Sequence, residues 1–366
     1  MNFQPMTDLL ENAVKDGIIP SAAYAVGRGR EVYIRGCLGD RAVYPAREKA
    51  DIDTLYDLAS ISKLVSTTMA ALRLVEDGKL LLQDSIWRFF SEEELKDAPA
   101  GRRDITVFDL MTHTSGIVPG INLWQRLKEN DETQIAHEIL SSKPVCRPGE
   151  QVYYSCMGFI LLRFILERIT GKRLDALAKE LVFDPLGMAH TCYCPTGDNI
   201  ASTEKSPIWG EYIKGVVHDE NAWFQGGISG NAGVFSNLED MIRFAAMCST
   251  RGELPGAGFG TAEGRFLSQR MFDLAVKNYT PTLDEGRGLG FHVKQPTPDL
   301  SAMGDLYAPG SFGHNGYTGT SLYVDAETGI YGILLTNAVH FGRDKSRFFR
   351  MRRAFYNTVI TGAQRN

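Results

Sequence analysis

The sequence lacks the long apolar stretch and the basic patches that direct a chain into a bilayer or onto nucleic acid. No segment approaches the ~18 consecutive apolar residues that a transmembrane helix requires. The formal net charge is −5, so there is no strong positive field to attract nucleic acid or an anionic membrane surface. We therefore expect no membrane span and no nucleic-acid partner.

Cysteine is scarce, and the spacings typical of metal sites are missing. The chain has six cysteines and no C-x-x-C pair. Cys192 and Cys194 flank one tyrosine, but two such ligands without a second pair are a weak zinc signal. The N-terminus also lacks a basic segment followed by an unbroken apolar run. These features predict reduced thiols, no metal and a cytoplasmic location, or a periplasmic or extracellular one if a leader was removed.

Several common catalytic signatures are absent as well. No serine lies in a G-x-S-x-G elbow, which removes the nucleophile signature of the α/β-hydrolases. The chain also contains no H-E-x-x-H, no P-loop and no G-x-G-x-x-G after a strand. The sequence therefore gives no support for a zinc peptidase, a nucleotide site or any other cofactor.

Two hydrophobic periodicities divide the chain. Alternating residues predict a hairpin near the start, in SAAYAVGRG and EVYIRGCLG, and strands near the end, in GLGFHV, TSLYVD and YGILLTN. Helical spacing dominates between about residues 80 and 215 and returns in a C-terminal helix. This order predicts an α+β fold, in which an antiparallel sheet is assembled from both ends of the chain and flanked by helices.

The segment Ser60-Ile-Ser-Lys63 carries the clearest catalytic pattern. A serine hydroxyl is a weak nucleophile and needs a base beside it. Positions three apart on a helix share a face, so the Lys63 amine can reach Ser60 if Ser60 opens the helix. We expect burial to lower the pKa of Lys63 towards the range in which it accepts a proton. Alone, S-x-x-K also fits an ordinary helix surface, and Ser62 is a rival nucleophile.

Two later segments strengthen the catalytic interpretation. PGEQVYYSCMGFILL places Tyr154 just before an apolar helix, and FGHNGYTGTSLYVD places His314-Asn315-Gly316 at the start of a strand. Their order and spacing resemble the serine β-lactamase and penicillin-binding-protein superfamily, specifically its class C branch. The flanking segments LMTHTSGI, RPGEQVYYS and VHDENAWFQGGISGNAGVFSNLEDM are similar to the penicillin-binding-protein-4B-like, β-lactamase-related serine hydrolases. The resemblance extends from about residue 5 to residue 360.

The resemblance implies a β-lactamase/transpeptidase-like fold with an inserted helical lobe. We expect one domain over residues 1–366. Its α/β lobe would comprise residues 1–75 and 220–366, its mainly helical lobe would comprise residues 76–219, and the active site would lie between the two.

The resemblance also implies a role for each motif residue. Ser60 would be the acylated nucleophile, and Lys63 would take its proton or hold a hydrogen-bond relay. Tyr154 would act as base and then as acid to the leaving group, while His314 would contact Tyr154 or a substrate carboxylate. The N–H groups of Ser60 and Tyr317 would form the oxyanion hole. Tyr153, the neighbouring tyrosine, is expected to pack in the core.

Two departures from the family pattern concern substrate binding. Cys156 replaces the asparagine of Y-x-N, and a thiol is a much weaker hydrogen-bonding group than an amide. His314-Asn315-Gly316 replaces the lysine-containing triplet, and histidine is a weaker, pH-dependent cation. We expect Cys156, Asn315 and Gly316 to contact the substrate, and both departures favour an esterase or peptidase over an efficient β-lactamase.

The resemblance therefore predicts a serine hydrolase that acts on a small-molecule or peptide ester or amide through a Ser60 acyl-enzyme. Esterase, D-amino-acid peptidase and muropeptide carboxypeptidase specificities all stay open. The alternative is a penicillin-recognising protein that is acylated and does not turn over, as a binding or sensor protein would be.

Three histidines raise separate questions. An unperturbed His314 would titrate near pH ~6.5, so we expect activity to change through that range. His113, in MTHTSGI, is expected to be a structural turn residue. His218, with Asp219, either lines the cleft or forms hydrogen bonds within a loop.

Overall fold

The main sheet joins the two ends of the chain, as the alternating segments predict. A computed structural model describes residues 1–259, 261, 263–296 and 301–364. Within these ranges the strands are β1 Ser21–Arg28, β2 Glu31–Ala42, β3 Glu48–Lys49, β4 Tyr56–Asp57, β5 Cys192–Tyr193, β6 Val234–Ser236, β7 His292–Val293, β8 Phe312–Asn315, β9 Ser321–Val324 and β10 Ile330–Leu335. Seven form an antiparallel sheet in the order β3–β2–β1–β10–β9–β8–β7, and three form a small sheet in the order β4–β6–β5.

The helices lie mainly between these strands in the sequence. Those of the described residues are α1 Gln4–Lys15, α2 Met69–Glu76, α3 Glu92–Leu95, α4 Val107–Met111, α5 Leu123–Arg126, α6 Glu132–Leu140, α7 Cys156–Thr170, α8 Leu174–Ala178, α9 Asp184–Leu186, α10 Glu220–Phe224, α11 Leu238–Ser249, α12 Gln269–Val276 and α13 Ser346–Gln364. Lys63–Thr68 and Lys179–Phe183 form π-helical turns, and Ile86–Phe89, Ala100–Asp104, Ala257–Phe259 and Ala338–Phe341 form 3₁₀ turns.

Both faces of the central strands are buried, which explains their nearly continuous apolar sequence. Successive side chains of a strand point to opposite faces. Ala22, Tyr24 and Val26 of β1 therefore pack on the side of α1 and α13. Ala23 and Ala25 lie on the other side, in the core that includes α11. The predicted α+β class and antiparallel sheet are confirmed.

Local signals set the ends of two helices that are buried along most of their length. Helix α7 begins after Ser155, whose Oγ accepts the Gly158 N–H at 3.1 Å, and ends at Gly171 with φ +66°. Helix α11 begins after Asn237, whose side chain accepts the Asp240 N–H at 3.0 Å. None of the described helices combines the length and the apolarity that crossing a membrane demands.

One predicted strand is wrong for most of its length. Only His292–Val293 of GLGFHV form a strand, because the preceding residues leave the extended conformation. Gly290 has φ +74°, and a Cβ built there would lie 2.0 Å from the Thr68 Oγ1. The segment thus passes against the turn that follows Ser60. Helices α3 to α9 all fall between residues 76 and 219, and the division into lobes at those boundaries stays a prediction.

Candidate active site

A sharp turn between β4 and the first helical turn presents Ser60. Leu58 donates its N–H to the Val234 carbonyl of β6 at 2.9 Å, and Ala59 has the left-handed φ of +47°. The Asp57 carboxylate accepts the Ala59 N–H at 2.8 Å, which holds this turn. Left-handed backbone is unusual for a residue with a Cβ and is found preferentially at functional sites. Ser60 emerges half-buried at the helix start, where we predicted it.

Lys63 lies beneath Ser60 and is fully buried. Its Nζ donates to the Ser60 Oγ at 3.0 Å and to the Asn231 carbonyl at 2.8 Å. This geometry places the ammonium directly against the candidate nucleophile. Ser62 is different: it is buried in the core, and its Oγ accepts the Val234 N–H at 3.0 Å.

Tyr154 closes the site from the side of α7. Its ring centroid is 5.0 Å from the Lys63 Nζ, and its hydroxyl oxygen is buried with no hydrogen-bond partner among the described residues. His113 holds this segment from below, since its carbonyl accepts the Tyr153 N–H and its Nδ1 accepts the Ser155 N–H at 3.0 Å. His113 itself occupies a turn with φ +58°. The phenol therefore lies beside Lys63 and Ser60, both of which act to lower its pKa, and it lines the same cavity as Ser60.

Strand β8 supplies the opposite wall. The His314 Nδ1 lies 2.8 Å from the Asn315 carbonyl, which can only accept, so Nδ1 carries the proton and Nε2 has a free lone pair. That Nε2 is buried and has no partner in the described part of the chain. A Cβ at Gly316 would lie 2.3 Å from the Leu58 carbonyl, so only glycine allows β8 to approach the Ser60 turn this closely.

The residue after this triplet, Tyr317, is held from both sides. Lys345 donates to the Tyr317 carbonyl at 2.5 Å, and its Nζ lies 3.2 Å from the Tyr317 ring centroid. The His218 ring stacks on the same ring at 5.6 Å. Neither the Ser60 N–H nor the Tyr317 N–H donates to another described residue. Two fixed, unpartnered donors are the arrangement that an oxyanion hole requires.

A cavity of about 280 Å³ connects these groups. Five predicted site residues line it: Ser60, Tyr154, His314, Asn315 and Tyr317. Gly316 is not among its lining residues, and neither is Cys156, which is half-buried at the first position of α7. Direct substrate contact by these two stays a prediction.

His218 and Asp219 form hydrogen bonds within the structure and do not line this cavity. The His218 Nε2 pairs with Glu204 at 2.8 Å, and the Asp219 carboxylate accepts the Ala222 N–H at the start of α10. These contacts are the hydrogen bonds within a loop that were one of the two expectations for this segment. His218 also stacks on the ring of Tyr317, which does line the cavity.

Three lining residues were missed by the sequence analysis: Glu285, Arg287 and His292. All three lie in or next to the GLGFHV segment, whose pattern indicated only a strand. The available signal was an acidic and a basic residue set among glycines directly before an apolar segment, where a charged side chain is unusual.

The charges of the Lys63–Tyr154 pair differ from our expectation. Burial alone lowers the pKa of Lys63, but the Cys156 thiol and the Tyr154 phenol, when ionised, favour the ammonium more strongly, so the pKa is raised. Burial raises the pKa of Tyr154, while the Lys63 ammonium acts against that increase. The expectation of a lysine with a lowered pKa is therefore wrong, because an ionised Tyr154 and the Lys63 ammonium stabilise each other.

His314 also departs from the expected titration near pH 6.5. Burial first, and then the positive charges of Arg287 and Lys63, hold its pKa well below the ordinary 6.5. The same causes lower the pKa of His113. Both imidazoles are therefore neutral at physiological pH, and the His314 Nε2 is free to accept a hydrogen bond from a ligand.

We predict that these two histidines make the fold sensitive to acid. Below pH 6.5 these two histidines are protonated in the unfolded chain but stay neutral in the folded chain. The free energy of unfolding therefore decreases as the pH is lowered, by about 1.4 kcal/mol per pH unit for each histidine. The effect is absent above pH 6.5, where both states are neutral. Urea unfolding between about pH 7 and pH 5 measures this pH dependence. In His314→Gln the number of protons bound on unfolding should be smaller by one.

The same variant checks the charge of His314 in the active enzyme. Because Arg287, Lys63 and His292 all act against a second positive charge there, the pH–activity profile between pH 5 and 8 should have the same shape in wild type and His314→Gln. A limb near pH 6.5 that disappears in the variant would show that His314 titrates during turnover.

Known proteins match the chain along most of its length. The family model described as Beta-lactamase matches residues 6–354. An Escherichia coli (strain K12) protein named "Putative D-alanyl-D-alanine carboxypeptidase" is 31% identical over 324 residues, covering 80% of this chain and 71% of that protein.

Two solved structures have a similar fold. EstCE1, described as "a hydrolase with promiscuous acyltransferase activity", has a TM-score of 0.76 at 20% identity and covers 96% of this chain and 97% of its own. The octameric penicillin-binding protein homologue from Pyrococcus abyssi has a TM-score of 0.74 at 20% identity, and the match covers 99% of this chain and 77% of that chain. The predicted superfamily is confirmed by a family match that includes the Ser60, Tyr154 and His314 segments, and the chain belongs to the beta-lactamase family.

Proposed function

We propose that the protein is a serine hydrolase that cleaves an ester or amide through an acyl-enzyme on Ser60. The observation that carries the proposal is the Lys63 Nζ, which donates to the Ser60 Oγ and the Asn231 carbonyl and lies 5.0 Å from the Tyr154 ring centroid. Within the family we assign it to the class C branch, because a tyrosine at the start of an apolar helix faces the S-x-x-K lysine.

The proton of Ser60 needs an acceptor, and Tyr154 suits this role better than Lys63. The raised pKa of Lys63 keeps it charged, so the active form of the pair is an ammonium beside a phenolate. The phenolate takes the Ser60 proton while Oγ bonds to the substrate carbonyl carbon. The neutral phenol then returns a proton to the leaving alkoxide or amine as its bond to that carbon breaks.

Two further steps complete the reaction: stabilisation of the oxyanion and hydrolysis of the acyl-enzyme. The Ser60 and Tyr317 N–H groups donate to the oxyanion of the tetrahedral intermediate, and Lys345 fixes the Tyr317 peptide through its carbonyl. Water then attacks the acyl carbon and gives its proton to Tyr154. Tyr154 passes this proton to the Ser60 Oγ as its bond to the acyl carbon breaks, which restores the free hydroxyl and the phenolate.

The polar groups of the site favour an ester or a D-amino-acid amide over a β-lactam. Neutral His314 stands where many relatives have a lysine cation, and Cys156 stands in place of an amide. The E. coli relative is named for a D-alanyl-D-alanine carboxypeptidase, and EstCE1 is described as a hydrolase with acyltransferase activity. These names support an esterase or peptidase as the activity of this chain.

A substrate panel tests the proposal against the non-turnover alternative. We expect multiple turnovers of short p-nitrophenyl esters or of a peptide ending in D-Ala-D-Ala, and only slow hydrolysis of nitrocefin. The alternative predicts labelling by a fluorescent penicillin at one equivalent without turnover of any member of the panel. Efficient nitrocefin hydrolysis would contradict the specificity that we infer from Cys156 and His314.

A further inference from the structure

Asp57 is a buried carboxylate at the end of β4, three residues before Ser60. It is 2% exposed. Burial raises the pKa of its carboxyl group, while the hydrogen bonds from the His218 and Ala59 N–H groups act against that increase. Removing a carboxylate from water costs free energy, which only contacts of this kind offset. The contacts of Asp57 therefore have to explain why a charged side chain lies here.

The two carboxylate oxygens bind two different segments of the chain. The Asp57 Oδ1 accepts the Ala59 N–H at 2.8 Å, and its Oδ2 accepts the His218 N–H at 2.7 Å. A carboxylate accepts through both oxygens, whereas the amide of asparagine has one acceptor and one NH₂ donor. An aspartate can therefore hold both backbone N–H groups at once, and an asparagine of the same shape can hold only one.

The main chain of the same residue binds a third segment, the one that follows β8. The Asp57 carbonyl accepts the Thr318 hydroxyl at 2.7 Å, and the Leu58 carbonyl accepts the Thr320 hydroxyl at 3.0 Å. Both threonines are buried. Tyr317 directly precedes Thr318 in the sequence, so the chain beside Tyr317 is fixed against the end of β4.

These contacts reach the neighbours of both proposed oxyanion donors. Ser60 follows Ala59 directly, and the ring of Tyr317 stacks on that of His218 at 5.6 Å. An oxyanion is stabilised only if both donors lie at hydrogen-bond distance from the position that it occupies. A misplacement of about 1 Å can cost on the order of 100-fold in rate. A single residue that holds both sides of the site can therefore control its activity.

We propose that Asp57 is a positioning residue that sets the distance between the Ser60 and Tyr317 N–H groups, through its carboxylate and its main-chain carbonyl. Asp57 is not among the described residues that line the cavity, so it acts through neighbouring peptides. The inference rests on the proposed hydrolase function and deepens it, because it makes the oxyanion hole depend on a carboxylate outside the cavity. It holds for esters and amides alike, since both present a carbonyl oxygen.

Asp57→Asn tests the proposal, because it keeps the shape of the side chain and loses one of the two acceptors. On p-nitrophenyl butyrate, kcat should fall roughly 10- to 100-fold. KM should stay nearly unchanged, because acylation and deacylation both use the oxyanion hole. Asp325→Asn is the matched control: Asp325 is 3% exposed, and its two oxygens accept the Ala308 and Thr328 N–H groups at 2.8 and 2.9 Å, away from the cavity. It should keep the wild-type kcat.

Labelling with a fluorescent fluorophosphonate separates positioning from a loss of folded protein. The Ser60 Oγ bonds to phosphorus as fluoride leaves, and the phosphoryl oxygen uses the oxyanion hole, so no turnover is needed. Asp57→Asn should reach the wild-type final level of labelling, with a rate constant lower by roughly 10- to 100-fold. A purely structural role would instead lower the final level and leave the rate constant of the remaining molecules unchanged, which would overturn the proposal.

The two measurements also distinguish this proposal from the hydrolase function. Wild type that is labelled but hydrolyses no ester or amide would reject the proposed function, and the labelling rate constants would still decide the role of Asp57. Wild type that is neither labelled nor active would overturn both. If Asp57→Asn does not fold, Thr318→Val replaces it, since it keeps the side-chain shape and removes the hydrogen bond to the Asp57 carbonyl. A wild-type labelling rate constant in that variant would overturn the proposal.

Discussion

Replacing Ser60 with alanine is expected to reduce ester hydrolysis by about 10⁴-fold or more, because comparable serine enzymes lose this much without their nucleophile. The variant removes the hydroxyl to which the Lys63 Nζ donates at 3.0 Å. Ser60 is half-buried at a helix start, so the thermal unfolding temperature should change little. The measurement is kcat/KM on a p-nitrophenyl ester, with mass spectrometry to detect the acyl group on the wild-type chain.

The matched control is Ser62→Ala, two residues away. Ser62 satisfies the Val234 N–H inside the core, so its loss should lower stability and leave the chemistry in place. An acyl adduct on Ser62, or an active Ser60→Ala variant, would show that the nucleophile is assigned to the wrong serine.

Removing the Lys63–Tyr154 pair should have the second-largest effect. Lys63→Met keeps the length of the side chain and removes the ammonium that holds both the Ser60 Oγ and the phenolate. Tyr154→Phe removes only the hydroxyl. We expect each variant to lose roughly 10²- to 10⁴-fold in kcat, the range for a missing acid–base group. The double variant should lose little more, because residues that act as a unit are strongly non-additive.

The pH profile identifies which member of the pair accepts the proton. Since the pKa values of both groups are raised, wild-type kcat/KM should increase with pH into the alkaline range as the pair gives up one proton. Tyr153→Phe is the control, because Tyr153 does not line the cavity. Additive losses in the double variant, or an alkaline limb that survives in Tyr154→Phe, would contradict a shared proton.

Much of this architecture could be predicted from local pattern. The alternation in SAAYAVGRG and YGILLTN fixes which side chains lie on each face of the sheet, and Ser155 and Gly171 set the ends of α7. The motif residues Ser60, Tyr154 and His314 could be found because each stands in a distinctive order of neighbours. These signals depend on positions close together in the sequence.

Other features depend on contacts that no local pattern encodes. Gly290 bends the GLGFHV segment against Thr68, and this contact is invisible until both segments are placed. That bend carries Arg287 and Glu285 to the cavity wall. The raised pKa of Lys63 likewise depends on Cys156 and Tyr154, which lie about 90 residues further along the chain and act on it only through space.

The pairing of β1 with β10 determines when this enzyme can become active during its own synthesis. Ser21 donates to Asn337, 316 positions later, and β1 has β10 as a neighbour in the sheet. A ribosome therefore releases β1 and β2 long before their partner exists, and one edge of β1 stays open until then. Such distant pairing slows folding and exposes a strand to association with other chains. Since Tyr317 precedes β10 by about a dozen residues, an emerging chain carries Ser60, the proposed nucleophile, well before it has the proposed oxyanion donor.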